Sequence, residues 1–157
     1  MSGKIHIGTS GWHYDHWKGP FYPEDMPSEK FLAFYAERFR TVEINNSFYK
    51  LPSKKTLRSW REIGGDNFVF SFKASRYLTH MKKLKDPEEP LRKIYDVAET
   101  LGAQLGPILF QLPPRWTFNP ERFERFLSIL SSDHRHVFEF RDESWFDERA
   151  LDLLREH

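Results

Sequence analysis

Two glutamates, Glu43 and Glu139, have the residue type and the sequence setting for acid–base chemistry. Each lies in a short run of alternating apolar and polar residues, Thr41 to Asn45 and His136 to Arg141, that is typical of a β-strand. If both carboxylates face the interior of one molecule, one can act as a general acid and the other as a general base. We therefore predict that both are catalytic.

Lys73 and Arg141 stand late in runs of the same kind and add two positive charges to the two negative ones. Lys73 can act as a Schiff-base nucleophile if Arg141 favours its uncharged form, or as a fixed cation that binds a substrate oxyanion. The residue types leave both roles open. They also leave open a charge-balanced network that only fills the interior, since buried charges are tolerated when they are paired.

A basic segment follows the run Phe68 to Ala74. It contains Arg76, His80, Lys82, Lys83 and Lys85. With Lys73, these residues would surround the strand ends with positive charge, which favours a phosphate group or another small anion as the ligand. We predict catalysis by His80 and ligand binding by Arg76 and Arg141. A solvated charged loop is the alternative.

Aromatic residues are also expected around the strand ends: Trp12, Tyr14, Trp17, Tyr49, Tyr77, Trp116 and Trp145. Rings at a polar opening can stack on sugars or nucleobases, and nearby cations make the set resemble a nucleotide or single-stranded nucleic-acid site. We expect at least half of these rings, beginning with Trp17 and Trp145, to pack loops instead. The complete set of predicted ligand-binding residues is Ser10, Trp12, Tyr14, Asn45, Tyr49, Arg76, Gln111, Trp116 and Arg141.

A divalent metal ion is the second choice of chemistry. His80 with Glu43 and Glu139 can supply nitrogen and oxygen ligands, although Lys73 and Arg141 would repel a cation. No cysteine is present for a thiolate mechanism, and the G-x-G-x-x-G dinucleotide motif is absent. The sequence thus requires no cofactor, and we assign no metal ligands.

Composition limits the class of protein that carries these residues. The 157 residues are 39% hydrophobic and 17% aromatic, which is too rich in large rings for a disordered chain and predicts a sizeable core. The 24 basic residues nearly balance the 23 acidic ones, so net charge indicates no partner. An apolar run of membrane-spanning length and a secretory signal are both absent from the sequence, which predicts no membrane association and a cytoplasmic location.

The elements that must position the polar residues follow a repeated strand–helix pattern. The predicted strands extend from about Lys4 to Thr9, Thr41 to Asn45, Phe68 to Ala74, Pro107 to Leu112 and His136 to Arg141. Helix start signals stand at Ser28, Ser53, Asp86-Pro87, Asn119-Pro120 and Asp147. Five successive βα units predict a parallel sheet with right-handed crossovers.

Alternation within the strands distinguishes a doubly wound sheet from a (β/α)8 barrel. Val42 and Ile44 share one face of their strand and Glu43 and Asn45 share the other, and later strands repeat this pattern. Helices therefore cover one face only, as in a barrel with a polar interior. We predict an α/β fold, a partial TIM-type barrel of five βα units in the order 1-2-3-4-5, in a single domain of residues 1–157.

Such barrels usually need about 250 residues. We therefore expect about three C-terminal units to be absent from this chain. The two open edges of the sheet would then favour self-association.

Several motifs together resemble one family. They are Ile7-Gly8-Thr9-Ser10-Gly11-Trp12, Trp17-Lys18-Gly19 with Phe21-Tyr22-Pro23, Val42-Glu43-Ile44-Asn45-Asn46-Ser47-Phe48-Tyr49, Thr79-His80, Gly106-Pro107-Ile108-Leu109-Phe110-Gln111-Leu112-Pro113-Pro114, and Glu139-Phe140-Arg141 with Ser144-Trp145. In this order they resemble the YecE-like proteins, or domain of unknown function 72. The resemblance covers almost the whole chain, as the N-terminal 60% or so of a family member. It implies a TIM-type barrel and no established activity.

Three functions are compatible with the sequence. The first is an enzyme, of hydrolase or lyase type, that binds an anionic, phosphorylated or nucleotide-like ligand at the strand ends and uses Glu43, Lys73, His80 and Glu139. The second is a glycoside hydrolase with paired glutamates, which requires carboxyl groups about 5 to 9.5 Å apart. The third is a non-catalytic module that binds nucleotides or nucleic acid.

Overall fold

The computed structural model describes residues 5–157, and four parallel strands form its central sheet. The strands are β1 (Thr41–Ile44), β2 (Val69–Lys73), β3 (Leu105–Gln111) and β4 (His136–Glu139), and they lie side by side in chain order. Because parallel neighbours need a crossover, a helical segment separates each strand from the next. The α/β class and the parallel sheet predicted from the sequence are confirmed.

Five α-helices accompany the sheet. They are α1 (Phe31–Ala36), α2 (Lys54–Gly64), α3 (Glu88–Ala98), α4 (Pro120–Leu127) and α5 (Glu148–Glu156). Short 3-10 helices cover Asp15–Trp17, Ser28–Lys30, Asn46–Phe48, Glu99–Gln104 and Glu143–Trp145, and a π-helix covers Tyr77–Met81. Within residues 5–157, no helix combines the length and the apolar character needed to cross a bilayer.

Helix starts agree with the sequence signals where a side chain caps the helix. The Ser53 hydroxyl accepts a hydrogen bond from the Thr56 amide, and the Asn119 side chain accepts one from the Arg122 amide, with Pro120 in the first turn. Ser28 instead begins a short 3-10 helix and makes no capping hydrogen bond, and Asp86 has φ 42 and lies outside α3. The first four backbone N–H groups of a helix have no partner within the helix and can donate hydrogen bonds to water instead. These two helices therefore form without the predicted caps.

The hydrophobic core lies on one face of the sheet. Val42 and Ile44 of β1, Phe70 and Phe72 of β2, and Ile108 and Phe110 of β3 are buried in one cluster with side chains of all five α-helices. The alternate residues of the strands, among them Glu43, Ser71, Lys73 and Leu109, are only half-buried. Because side chains alternate along a strand, one face packs against helices and the other carries the polar groups.

The predicted first strand extends from Lys4 to Thr9. Lys4 lies outside the described residues, and residues 5–9 do not form a strand. The side chains of Ile5 and Ile7 are exposed, and this segment pairs with β1 through an isolated bridge between Ser10 and Glu43. Gly8 passes so close to β1 that an added Cβ would lie 2.1 Å from the Thr41 carbonyl oxygen. The prediction of five strands was therefore wrong for residues 5–9, because two backbone bonds around Glu43 do not make a continuous ladder.

Candidate functional site

A cavity of about 490 Å³ opens at the carboxyl ends of β2, β3 and β4. Its walls are formed by Asn45, Phe48, Tyr49, Lys73, Arg76, His80, Met81, Gln111 and Arg141. These residues are far apart in sequence, and they meet because the ends of parallel strands share one edge of the sheet. We call this space the cationic cavity.

Lys73 is the last residue of β2, and its side chain points into the cationic cavity. Its ammonium nitrogen lies 5.0 Å from the centre of the Phe48 ring, a cation–π distance. The buried Ser47 hydroxyl fixes the strand end from behind, since Oγ lies 2.6 Å from the Lys73 carbonyl oxygen and 2.7 Å from that of Ile44. The ends of β1 and β2 are thereby held together next to the cavity.

His80 reaches the cationic cavity from the π-helix Tyr77–Met81, which follows β2. Its Nδ1 lies 2.9 Å from the hydroxyl of the buried Thr79, and its ring meets Phe48 edge-on. Burial lowers the pKa of His80 below the usual 6.5, with further lowering by Lys73, Arg141 and Arg76 and an opposing effect of Glu139. A neutral imidazole at neutral pH can accept a proton as a general base.

Glu139 and Gln111 are paired across β3 and β4. The Gln111 amide donates a 2.8 Å hydrogen bond to Glu139 Oε2, and Arg141 Nε lies 3.2 Å from Glu139 Oε1. Both carboxylate oxygens thus have partners. In this arrangement Glu139 orients the Arg141 guanidinium at the rim of the cavity.

Positive charge exceeds negative charge in the cationic cavity. Within residues 5–157, Lys73 and Arg76 form no ion pair, and Arg141 pairs with Glu139. Arg76 lies 5.9 Å from the Tyr49 ring. Of the basic segment predicted from the sequence, Arg76 and His80 line the cavity, and Lys82, Lys83 and Lys85 do not.

Glu43 lies away from this cluster. Its Oε1 accepts a 2.6 Å hydrogen bond from the Ser10 hydroxyl, and both residues line a separate shallow depression of about 290 Å³. The strand register separates the Cα atoms of Glu43 and Glu139 in two directions. They lie three strand spacings of about 4.8 Å apart across the sheet and roughly 13 Å apart along the strands. The structure does not bring the two glutamates together.

The aromatic residues divide into packing and lining groups. Trp145 is fully buried and donates a 2.6 Å hydrogen bond from its indole nitrogen to the Trp116 carbonyl oxygen, and the two rings are 5.0 Å apart. Trp116 is also buried, so in this structure it packs a loop and does not line the cationic cavity. Trp17 packs against Phe21 and Tyr22, as expected.

Trp12, Tyr14 and Tyr49 line a second, larger cavity of about 590 Å³, which we call the aromatic cavity. Trp60 and Ile63 of α2 also line it. Tyr49 and Asn45 belong to both cavities. Two of the predicted residues therefore stand where the two spaces meet.

Sequence reasoning missed several residues of the site. Phe48 and Met81 line the cationic cavity, and the buried hydroxyls of Ser47 and Thr79 support it. Ser47 and Phe48 belong to the motif Val42 to Tyr49, but an apolar ring and two small hydroxyls carry no signal of a binding role. The part of the chain that the structure describes also contains no group of three His, Asp or Glu side chains arranged to hold a metal ion.

Comparisons with known proteins place this chain in a family. The model of the family described as "Protein of unknown function DUF72" matches residues 6–157. Among curated proteins, the chain is 28% identical to the UPF0759 protein YunF of Bacillus subtilis, covering 96% of this chain and 57% of that protein. It is 27% identical to the UPF0759 protein YecE of Escherichia coli, covering 90% and 50% respectively.

Solved structures agree with the sequence comparison. A crystal structure of a DUF72 family protein from Thermotoga maritima matches with a TM-score of 0.82 at 31% identity, covering 97% of this chain and 61% of that one. A second DUF72 protein, from Enterococcus faecalis, shares the fold with a TM-score of 0.68 at 18% identity. The chain spans between half and three-fifths of the length of these curated relatives and of the Thermotoga protein. The family match over nearly every residue shows that the chain belongs to the DUF72 family.

Proposed function

We propose that the chain binds a small phosphorylated or otherwise anionic ligand in the cationic cavity, and that His80 exchanges a proton with this ligand. Lys73, Arg76 and Arg141 bind the anion, and Gln111 and Glu139 hold Arg141 in place. The protein is then an enzyme of hydrolase or lyase type whose reaction occurs at the carboxyl ends of the strands.

The observation that carries this proposal is the unbalanced charge of the cationic cavity. Lys73 and Arg76 have no carboxylate partner among the described residues, and both line the same space as Arg141. Concentrating positive charge without an anion costs free energy through repulsion between the charges, and a bound anion offsets that cost. Structural ion pairs do not have this property because their charges already cancel.

His80 supports a catalytic role more than a purely electrostatic one. Burial and three neighbouring cations disfavour its protonated form, so it faces the anion site as a neutral imidazole. A neutral imidazole adds little to anion affinity but can act as a general base that takes up a proton from the bound ligand. Its Nδ1 contact with Thr79 holds the ring in place.

For the fold we propose that the four-stranded sheet is part of a (β/α)8 barrel. Support comes from the helices packed on one face, the polar side chains on the other and the sequential order of the strands. The paired-glutamate glycosidase receives no support from the geometry. Glu43 accepts a hydrogen bond from Ser10 and lines the shallow depression beside β1, whereas Glu139 accepts one from Gln111 and does not line that depression.

The test is calorimetric titration of the protein with inorganic phosphate. We expect Lys73→Ala and Arg141→Ala each to weaken binding by about 10- to 150-fold, because a hydrogen bond to a charged group contributes about 1.5–3 kcal/mol. Lys55→Ala, an exposed lysine on α2 outside both cavities, is the matched control and should leave the affinity unchanged. Circular dichroism checks that each variant is folded.

Two results would contradict the proposal. One is the absence of phosphate binding by the wild-type protein at low salt. The other is an equal loss at Lys55, Lys73 and Arg141, which would indicate diffuse attraction to the protein surface in place of a defined site.

A further inference from the structure

We infer that the aromatic cavity is a second subsite for the same ligand, and that this ligand is a phosphate ester carrying a planar ring, with a mononucleotide as its simplest form. The inference rests on the proposed function, because it assigns the phosphate to the cationic cavity. The ring then lies against Trp12, Tyr49 and Trp60.

The lining of the aromatic cavity matches a flat ring with polar edges. Trp12 and Trp60 meet edge-to-face at a centroid distance of 4.8 Å, which fixes two indoles in one wall. Leu32 and Ile63 add aliphatic surface, and the side chains of Asn45 and Asn46 supply amide donors and acceptors. Stacking surfaces next to a few amides are how proteins bind a base by its face and its edge.

The two cavities are neighbours at Asn45 and Tyr49, which line both. The Tyr49 side chain is 68% exposed, so its ring separates the two spaces without closing either one. Arg76 lies near the face of that ring on the side of the cationic cavity. A ligand that spans Tyr49 therefore touches the cations with one end and the indoles with the other.

Charge fixes the orientation of such a ligand. Glu29 is the one carboxylate among the described residues that line the aromatic cavity, and no lysine or arginine lines it. An anionic group is repelled there, whereas an uncharged ring with amino or hydroxyl groups is not. The cationic cavity has the opposite preference, since it is lined by Lys73, Arg76 and Arg141.

The experiment compares four probes by calorimetry on the wild-type chain: inorganic phosphate, ribose 5-phosphate, adenosine 5′-monophosphate and adenosine. We expect the nucleotide to bind about 5- to 150-fold more tightly than ribose 5-phosphate, because a stacked base contributes about 1–3 kcal/mol. In NMR spectra, the indole N–H signals of Trp12 and Trp60 should shift with the nucleotide and not with inorganic phosphate.

Ile63→Glu is the diagnostic variant, since Ile63 is 38% exposed and its replacement places a second carboxylate in the aromatic cavity without opening the core. It should remove the advantage of the nucleotide over ribose 5-phosphate and leave phosphate binding intact. Lys55→Glu makes a larger change of charge on the same helix but outside the cavity. It should leave the affinity difference between the nucleotide and ribose 5-phosphate unchanged.

The outcomes separate this inference from the proposed function. If phosphate and ribose 5-phosphate bind but the nucleotide binds no more tightly, the second subsite is wrong and the anion site stands. If Ile63→Glu still binds the nucleotide more tightly than ribose 5-phosphate, the ring binds elsewhere and the inference is wrong. If adenosine binds as tightly as its monophosphate and phosphate does not bind, the proposed function fails and the inference fails with it.

Discussion

At the scale of residues, the site depends on how a few polar groups are held by neighbours that do no chemistry. His80 contacts Thr79 through Nδ1 and Phe48 through its ring edge, while Lys73, Arg76 and Arg141 act on it through space. Burial and the three cations all disfavour the protonated form of His80, whereas Glu139 favours it. The charge state of His80 thus reports directly on the electrostatics of the cationic cavity.

This balance predicts opposite effects of two substitutions on the pKa of His80. Lys73→Met removes a cation and should raise this pKa towards the usual 6.5, whereas Glu139→Gln removes the opposing carboxylate and should lower it further. The measurement is the NMR titration of the His80 ring protons, assigned by their loss in His80→Gln. Bound phosphate should also raise the pKa because it adds negative charge.

Lys55→Met serves as the control for this titration and should leave the midpoint of His80 unchanged. A wild-type midpoint at or above 6.5 would show that burial and the cations do not govern His80. Shifts of the same sign in Lys73→Met and Glu139→Gln would lead to the same conclusion.

Part of the site could be predicted from sequence at this scale. Alternation along the strands placed Lys73, Gln111 and Glu139 on the polar face, because side-chain direction follows from a period of two. The relative register of β1 and β4 is set by helix packing and by a shift between Phe70 and Phe72. Nothing in the local sequence encodes that register, so the separation of Glu43 from Glu139 could not be foreseen.

At the scale of elements, several strand and helix positions could be predicted from local signals. The predicted strand Phe68 to Ala74 differs from β2 by one residue at each end, and the Ser53 and Asn119 caps are present. The π-helix Tyr77–Met81, which buries Leu78 and Thr79, had no such signal. That element is the one that delivers His80 to the cavity.

A second histidine belongs to this scale because it joins a strand to a helix. His136 begins β4, and its Nε2 lies 2.9 Å from the Tyr95 hydroxyl on α3. Burial, with a smaller effect of His134, lowers its pKa to about 4. The folded protein therefore keeps His136 neutral in the range of pH where the unfolded chain binds a proton.

We predict that His136 makes folding stability depend on pH between about 6.5 and 4. Above the unfolded pKa of about 6.5 the contribution is complete, and it is lost as the pH falls towards the folded value. The midpoint of urea unfolding should therefore decrease more from pH 7.5 to 5.0 in the wild-type protein than in His136→Phe. His6→Phe, at an exposed position, should behave like the wild type, and identical pH slopes for all three proteins would refute the prediction.

At the scale of the whole molecule, one face of the sheet is covered by helices and the other is open. Val137 of β4 is 45% exposed on the open face, and Ile7 is 70% exposed beside β1. The outer edge of β4 has no strand next to it within residues 5–157. Exposed apolar side chains beside an unpaired strand edge are a common surface for association.

We predict that the 157-residue chain self-associates through this face. Sedimentation velocity should show a concentration-dependent increase in mass, and Val137→Lys should weaken the association by placing a charge beside the edge. Leu151→Lys, on the exposed side of α5, adds the same charge to a helix surface and should have no effect. A monomer at every concentration, or equal effects of both lysines, would contradict the prediction.

The sequential order of the strands has a consequence for how the chain acquires its structure during synthesis. Thr41 pairs with Val69 and Leu109 with Val137, so among residues 5–157 strands that pair are consecutive in the chain. No strand has to wait for a distant segment to leave the ribosome before it can pair. The sheet can therefore grow one βα unit at a time in the direction of translation, with each new helix covering the face that its strand has just extended.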